Sequence, residues 1–202
     1  MTARPPASAL APGFADPVHD AQRVFRAVLD AMAHPGRIAT LPIDLEAPAP
    51  LSPGAAAVCL ALLDFETRLW LQPEAASPAV LDYLRFHCGC PAARHTLEAQ
   101  FALIADARTM PPLPAFSAGE PEYPDRAATL IVQVERLTDT GGARLRGPGI
   151  AAGPARLQVT GLPADFWVQR IDAQADYPLG VDILFVAGWR LAALPRSTRV
   201  EI

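Results

Sequence analysis

His87, Cys88, Cys90 and His95 bring two imidazoles and two thiols into one short stretch, ligand types that zinc favours. Structural zinc usually draws ligand pairs from two separated segments, and here only Cys59 remains as a distant thiol. His87 and Cys88 also fall where an apolar helix should end, so the cluster is read as structural and no metal is expected. The run Gly147-Pro148-Gly149-Ile150-Ala151-Ala152 fits the loose dinucleotide pattern G-x-G-x-x-A. That pattern requires a helix directly after it. Gly153-Pro154 and an extended run follow instead, so the glycines are read as a tight turn between strands. Just before them, Arg144 and Arg146 alternate onto one side of a strand, where they either face an anion or form a solvated strand face. With Arg196 and Arg199 near the C-terminus they make four candidate anion-binding residues. Ser117 lacks the leading glycine of a nucleophile elbow, and no catalytic set emerges elsewhere. Asp182, alone in an apolar run, must find a partner; Arg190, Arg196 and Arg199 are the candidates.

All 17 basic residues are arginine, and the chain contains neither Lys nor Asn. Drift in a GC-rich genome explains the bias, but its chemical consequence holds whatever the cause. No lysine is present to form a Schiff base with pyridoxal phosphate or to build a Walker A loop. Any bound anion must be held by Arg, backbone N–H groups or hydroxyls. A net charge of −4 argues against a nucleic-acid or membrane-surface role. The longest apolar run, residues 55–63, has nine residues and is too short to cross a bilayer. The N-terminus lacks the apolar stretch of a secretory signal, and three cysteines do not suggest a disulfide framework. The expected compartment is the cytoplasm.

The elements that must position these residues can be read from caps and periodicity. Residues 1–14 read as a mobile tail and 15–202 as a single α/β domain, with 51% hydrophobic residues available for a core. Asp16-Pro17, Ser52-Pro53 and Ser77-Pro78 each read as an N-cap followed by proline, predicting three helices. The first carries an apolar stripe of Ala21, Val24, Phe25, Val28, Leu29 and Met32. Strands are predicted at 37–41, 68–71 and 101–105, and the alternation of helix and strand implies parallel pairs. Five prolines between 109 and 125 predict a connection wrapping the surface. Strands then follow at 128–135, 144–146 and 155–160. A helix near 163–175 is expected to bury Ala164, Trp167, Val168, Ile171 and Ala175. The final unit is a hairpin of 181–187 and 190–194 turning at Gly188-Trp189. The fold class is α/β, a mixed β-sheet flanked by helices.

Several ordered segments resemble a known family. Asp20-Ala21-Gln22, Phe25-Arg26, Leu29, Ala31-Met32 and Pro35-Gly36 look like the opening of the PhnH family, a subunit of the bacterial carbon–phosphorus lyase system. Leu145-Arg146-Gly147-Pro148-Gly149-Ile150 is similar to that family's glycine turn. Tyr177-Pro178-Leu179-Gly180-Val181-Asp182, with Pro195-Arg196-Ser197-Thr198 and Val200-Glu201, resembles its closing signature.

The resemblance implies a fold similar to pyridoxal-phosphate-dependent transferases, without the cofactor. It also implies a homodimer that joins the G, I and J subunits of the core complex. That complex attaches the ribose triphosphate of ATP to an alkylphosphonate and releases adenine. The family subunit is not itself credited with catalytic residues. The alternatives are a free-standing enzyme with a transferase-like cleft, or a small anion- or nucleotide-binding module using Arg144, Arg146, Arg196 or Arg199. Phe185, Trp189 and the hairpin edge offer material for an interface. With no lysine to form an aldimine, incubation with pyridoxal phosphate and borohydride is expected to leave every side-chain mass unchanged; a pyridoxyl adduct away from the N-terminal amine would overturn this.

Overall fold

The computed structural model describes residues 10–151 and 155–202. Three helices begin where the cap-and-proline pairs predict. In α1 (Pro17–Ala33) the Asp16 carboxylate accepts from the Val18 and His19 amides. In α2 (Pro53–Leu62) and α3 (Pro78–His87) the hydroxyls of Ser52 and Ser77 accept from the Ala55 and Val80 amides, each at 3.3 Å. Each such cap satisfies an amide that the first helical turn leaves orphaned.

A six-stranded mixed sheet carries the fold. It comprises β1 (Ala39–Thr40), β2 (Leu69–Leu71), β3 (Phe101–Ile104), β4 (Thr129–Gln133), β7 (Asp182–Ala187) and β8 (Arg190–Leu194). The spatial order is β1-β8-β7-β4-β3-β2. Strands β2, β3, β4 and β7 are mutually parallel, while β8 runs antiparallel to both β7 and β1. A second, antiparallel sheet joins β5 (Arg136–Arg146), β6 (Ala155–Thr160) and β9 (Arg199–Glu201), with β5 in the centre. The helix α4 (Phe166–Asp172) precedes β7.

Alternation along the central strands separates two apolar layers. Leu103, Ile131, Leu184 and Val186 face α1, α2 and α3. Ile104, Leu130, Val132, Ile183 and Phe185 face the small sheet, α4 and the 109–125 connection. No described helix is long and apolar enough to cross a membrane.

Several expectations are corrected. Residues 10–14, read as part of a mobile tail, are fastened to α3. The Tyr83 hydroxyl donates to the Pro12 carbonyl at 3.3 Å, and His87 Nε2 lies 3.1 Å from the Ala11 carbonyl. Residues 1–9 of that expected tail lie outside the described residues, as does Ala152 of the glycine run. On α1 the buried stripe is narrower than predicted. Val24, Val28 and Ala31 are buried, while Phe25 and Leu29 are exposed. The 109–125 connection does not merely wrap the surface: it sends Met110, Leu113 and Phe116 into the core, with the Phe116 ring 5.9 Å from that of Trp70.

In α4 the buried pair is Phe166 and Arg170, and Val168 is exposed. Phe166 packs on Phe185 with ring centroids 5.8 Å apart, and of the expected stripe Trp167 and Ile171 pack half-buried against the core while Ala164, Val168 and Ala175 are exposed. Phe185 is itself fully buried, and β1 pairs with Arg190 and Leu191 at the start of β8.

The hairpin turn meets α2 at close range. A Cβ added at Gly54 would collide with the Gly188 carbonyl oxygen and stand 3.0 Å from Val186 Cγ1. At an open helical site Gly→Ala stabilises by about 1 kcal/mol. Here the sign reverses. Gly54→Ala is expected to destabilise by about 2 kcal/mol through overpacking, read as a lowered urea midpoint; an unchanged or raised midpoint would contradict the packing.

Candidate functional site

The small sheet and the turn after β8 assemble the candidate site. Strand alternation buries Leu145 and Val200 and turns Arg144, Arg146, Arg199 and Glu201 outward. The β5–β9 register sets Arg146 opposite Arg199 and Arg144 opposite Glu201. Glu201 reaches diagonally, and its carboxylate accepts from Arg146 Nε at 3.0 Å. Across the other edge of β5, Arg144 stands opposite Arg156.

The 195–198 turn supplies the third guanidinium. Arg196 donates from its backbone amide to Asp182 Oδ1 at 2.7 Å and from Nη2 to Oδ2 at 2.9 Å. Its Nη1 also donates to the Pro124 carbonyl. Asp182 therefore finds Arg196, while Arg190 donates to the Leu137 carbonyl at 2.8 Å. Beneath the turn lies Arg170, only 2% exposed, whose Nη2 donates to the carbonyls of Pro195 (2.8 Å) and Thr198 (3.0 Å). Burial lowers the pKa of Arg170, and the nearby Asp182 carboxylate opposes that shift. The group stays charged, because a guanidinium holds its proton in proteins.

These parts enclose a cavity of about 510 Å³ lined by Arg146, Arg196, Arg199, Ser197, Gln174 and Tyr177, among others. Gln174 is already committed, accepting from the Val200 amide at 2.9 Å and so docking the turn that follows α4 on β9. Three of the four candidate arginines thus converge. Arg144 shares their face but does not line the cavity. Arg170 escaped the sequence reading. Its only signal there was its place four residues after Phe166, on the same helix face.

At the opposite end of the parallel strands, the C-terminal edge where open α/β sheets commonly bind ligands, acids outnumber the cation. Arg108 pairs with both Asp106 (3.2 Å) and Glu135 (3.3 Å). The gap is further closed by Gln133, which accepts from the Ser52 amide and donates to the carbonyls of Pro50 and Ala105.

Among the described residues, no three His, Cys, Asp or Glu side chains are grouped to hold a metal. Cys59, Cys88 and Cys90 are free thiols. A hydrogen bond between the Cys88 and Cys90 thiols raises the pKa of Cys88 and lowers that of Cys90. Ser117 Oγ donates to the Arg126 carbonyl and accepts from the Gly119 amide. The glycine run is indeed a turn. Gly149 has φ +78°, and an added Cβ would collide with the Ala33 carbonyl at the end of α1.

Asp182 is the hub of this site, balancing Arg196 and offsetting Arg170. Asp182→Ala is expected to cost about 3 kcal/mol because it leaves a guanidinium without its counter-charge. The double variant Asp182→Ala with Arg196→Met should cost less than the sum of the two single changes, read from urea unfolding of all four proteins. Strict additivity would show that the pair is not coupled.

The family model described as Bacterial phosphonate metabolism protein (PhnH) matches residues 12–201. A protein of Rhizobium meliloti (strain 1021), Alpha-D-ribose 1-methylphosphonate 5-triphosphate synthase subunit PhnH, is 38% identical over 193 residues, covering 93% of this chain and 94% of the relative. A protein of Stutzerimonas stutzeri, Putative C-P lyase subunit protein HtxG, is 31% identical over 185 residues, covering 90% of this chain and 86% of the relative. The resemblance read from the three sequence segments thus extends along nearly the whole chain, which belongs to the PhnH family of bacterial phosphonate metabolism proteins.

Proposed function

We propose that the chain is a subunit of a carbon–phosphorus lyase complex that makes ribose 1-alkylphosphonate 5-triphosphate from ATP and an alkylphosphonate. In that reaction a phosphonate oxygen bonds to C1′ of the ribose, the glycosidic C–N bond breaks and adenine leaves. The observation that carries the reading is 38% identity, along 93% of the chain, to a subunit of that synthase. The role is non-catalytic. Its support is that the groups best suited to chemistry are already committed: Ser117 to a turn, Asp182 to Arg196.

The chain works in the cytoplasm as a homodimer that joins the G, I and J subunits. Its mixed sheet is a relative of the pyridoxal-phosphate-dependent transferase sheet, without the cofactor. An obligate interface buries on the order of 2,000 Å² or more and is core-like. Phe25 and Leu29 on α1, and Phe65, Phe86 and Leu97 beyond α2, are exposed and supply apolar area for such contacts.

Deleting the gene should abolish growth on an alkylphosphonate as sole phosphorus source and leave growth on phosphate intact. The purified chain should run as a dimer and turn over no ATP with methylphosphonate. Normal growth of the deletion strain on phosphonate, or robust turnover by the isolated chain, would overturn the reading.

A further inference from the structure

We infer that the cleft formed by β5, β9 and the 195–198 turn binds the dianionic phospho group of a small phosphate ester or phosphonate. The inference deepens the subunit reading by naming a ligand class for the chain.

Its first support is a charge excess. Arg146, Arg196 and Arg199 line the cavity and Arg170 is buried under the same turn, whereas among the described residues Asp182 and Glu201 supply the only carboxylates paired with them. The excess is about two positive charges, the charge of a fully ionised phospho group.

The second support is an arrangement that works against folding. Arg146 and Arg199 are direct cross-strand partners on one face. Like charges so placed are about 5 Å apart at Cβ and repel. Glu201 engages Arg146 through Nε alone, and among the described residues Arg199 has no acidic partner within 4.0 Å. An anion seated between the two guanidiniums converts that repulsion into paired charge-assisted hydrogen bonds.

The third support is preorganisation. Asp182 and the Pro124 carbonyl hold Arg196, while Arg170 pins the turn from below. Among the described residues, the buried side-chain atoms left without a hydrogen-bond partner are Arg170 Nε and Thr198 Oγ1. Both belong to this turn and its anchor.

Size sets the ligand class. At about 510 Å³ the cavity exceeds a bare phosphate and suits a small organic ligand. Tyr177, 61% exposed at the cavity wall, and the Ser197 hydroxyl offer an aromatic face and a polar contact for the organic portion.

Isothermal titration of the full chain with methylphosphonate and with ribose 5-phosphate tests the cleft, and the two probes separate a phosphonate from a phosphate-ester ligand. Saturable binding of either is expected. Arg199→Gln and, separately, Arg146→Gln should weaken it about tenfold or more, as loss of a hydrogen bond to a charged group does. Both residues are more than half exposed or lie on an outward strand face, so the variants should fold, and circular dichroism checks this. Relief of the cross-strand repulsion should leave unliganded Arg199→Gln at least as stable as the parent. No saturable binding of either probe, or full affinity in both variants, would overturn the inference. A chain that binds neither probe yet is still required for growth on phosphonate would remove the cleft and leave the subunit reading standing.

Discussion

A sheet buried on both faces admits polar groups only at its strand ends, and this constraint organises the whole chain. Leu130, Ile131 and Val132 of β4 and Ile183 to Val186 of β7 are all buried, three helices on one side and the small sheet on the other. The polar residues of this layer are displaced to its margins. Asp182 is the first residue of β7, Gln133 the last of β4, and Gln72 directly follows β2. Each spends its hydrogen bonds on a loop. Gln72, 1% exposed, accepts from the amides of Ala105 and Asp106 and donates to the Asp106 carbonyl and Thr109. Buried amides and carboxylates are tolerable only when satisfied in this way.

The two margins then diverge. At the C-terminal edge of the parallel strands, Gln72 and Gln133 knit loops together, and Arg108 is neutralised by two acids. At the N-terminal edge, Asp182 draws in Arg196 and stands near Arg170, so one carboxylate serves two guanidiniums. The small sheet adds two more arginines and one glutamate beside them. Net positive charge collects at one end, while at the other the acids outnumber the cation.

How far this was legible in the sequence depends on the range of the interactions. Helix starts at Asp16-Pro17, Ser52-Pro53 and Ser77-Pro78 are local signals, and the structure keeps all three. Which face a helix buries is not local. Phe25 and Leu29 fit the stripe of α1 as well as Val24 and Val28 do, but the breadth of the contact with α2 and β8 decides, and it leaves them outside. On α4 an apolar count had to overlook Arg170, whose burial depends on carbonyls 25 and 28 residues away. Alternation made the outward side of Arg144 and Arg146 readable. It could not supply the register that sets Arg146 against Arg199, and Arg144 against Glu201, because β5 and β9 are far apart in the chain. Asp182 announced its need for a cation. The turn geometry alone selected Arg196 over Arg190 and Arg199.

The arginine-only composition bears on what the cleft can be. Drift accounts for the absence of lysine, yet a guanidinium differs from an ammonium in presenting a planar fork of donors. Arg196 uses separate nitrogens for Asp182 and the Pro124 carbonyl, and Arg170 uses one nitrogen for two carbonyls. A lysine could fill neither role with the same fixed orientation. Arg146 and Arg199, by contrast, hold up no loop; they stand opposed on a sheet face where a neutral pair would fold better. Local rules of stability are most often broken where a protein does its work. On that ground the opposed arginines are where the proposed anion would sit, and Arg170 and Asp182 are the frame that holds the turn beside them.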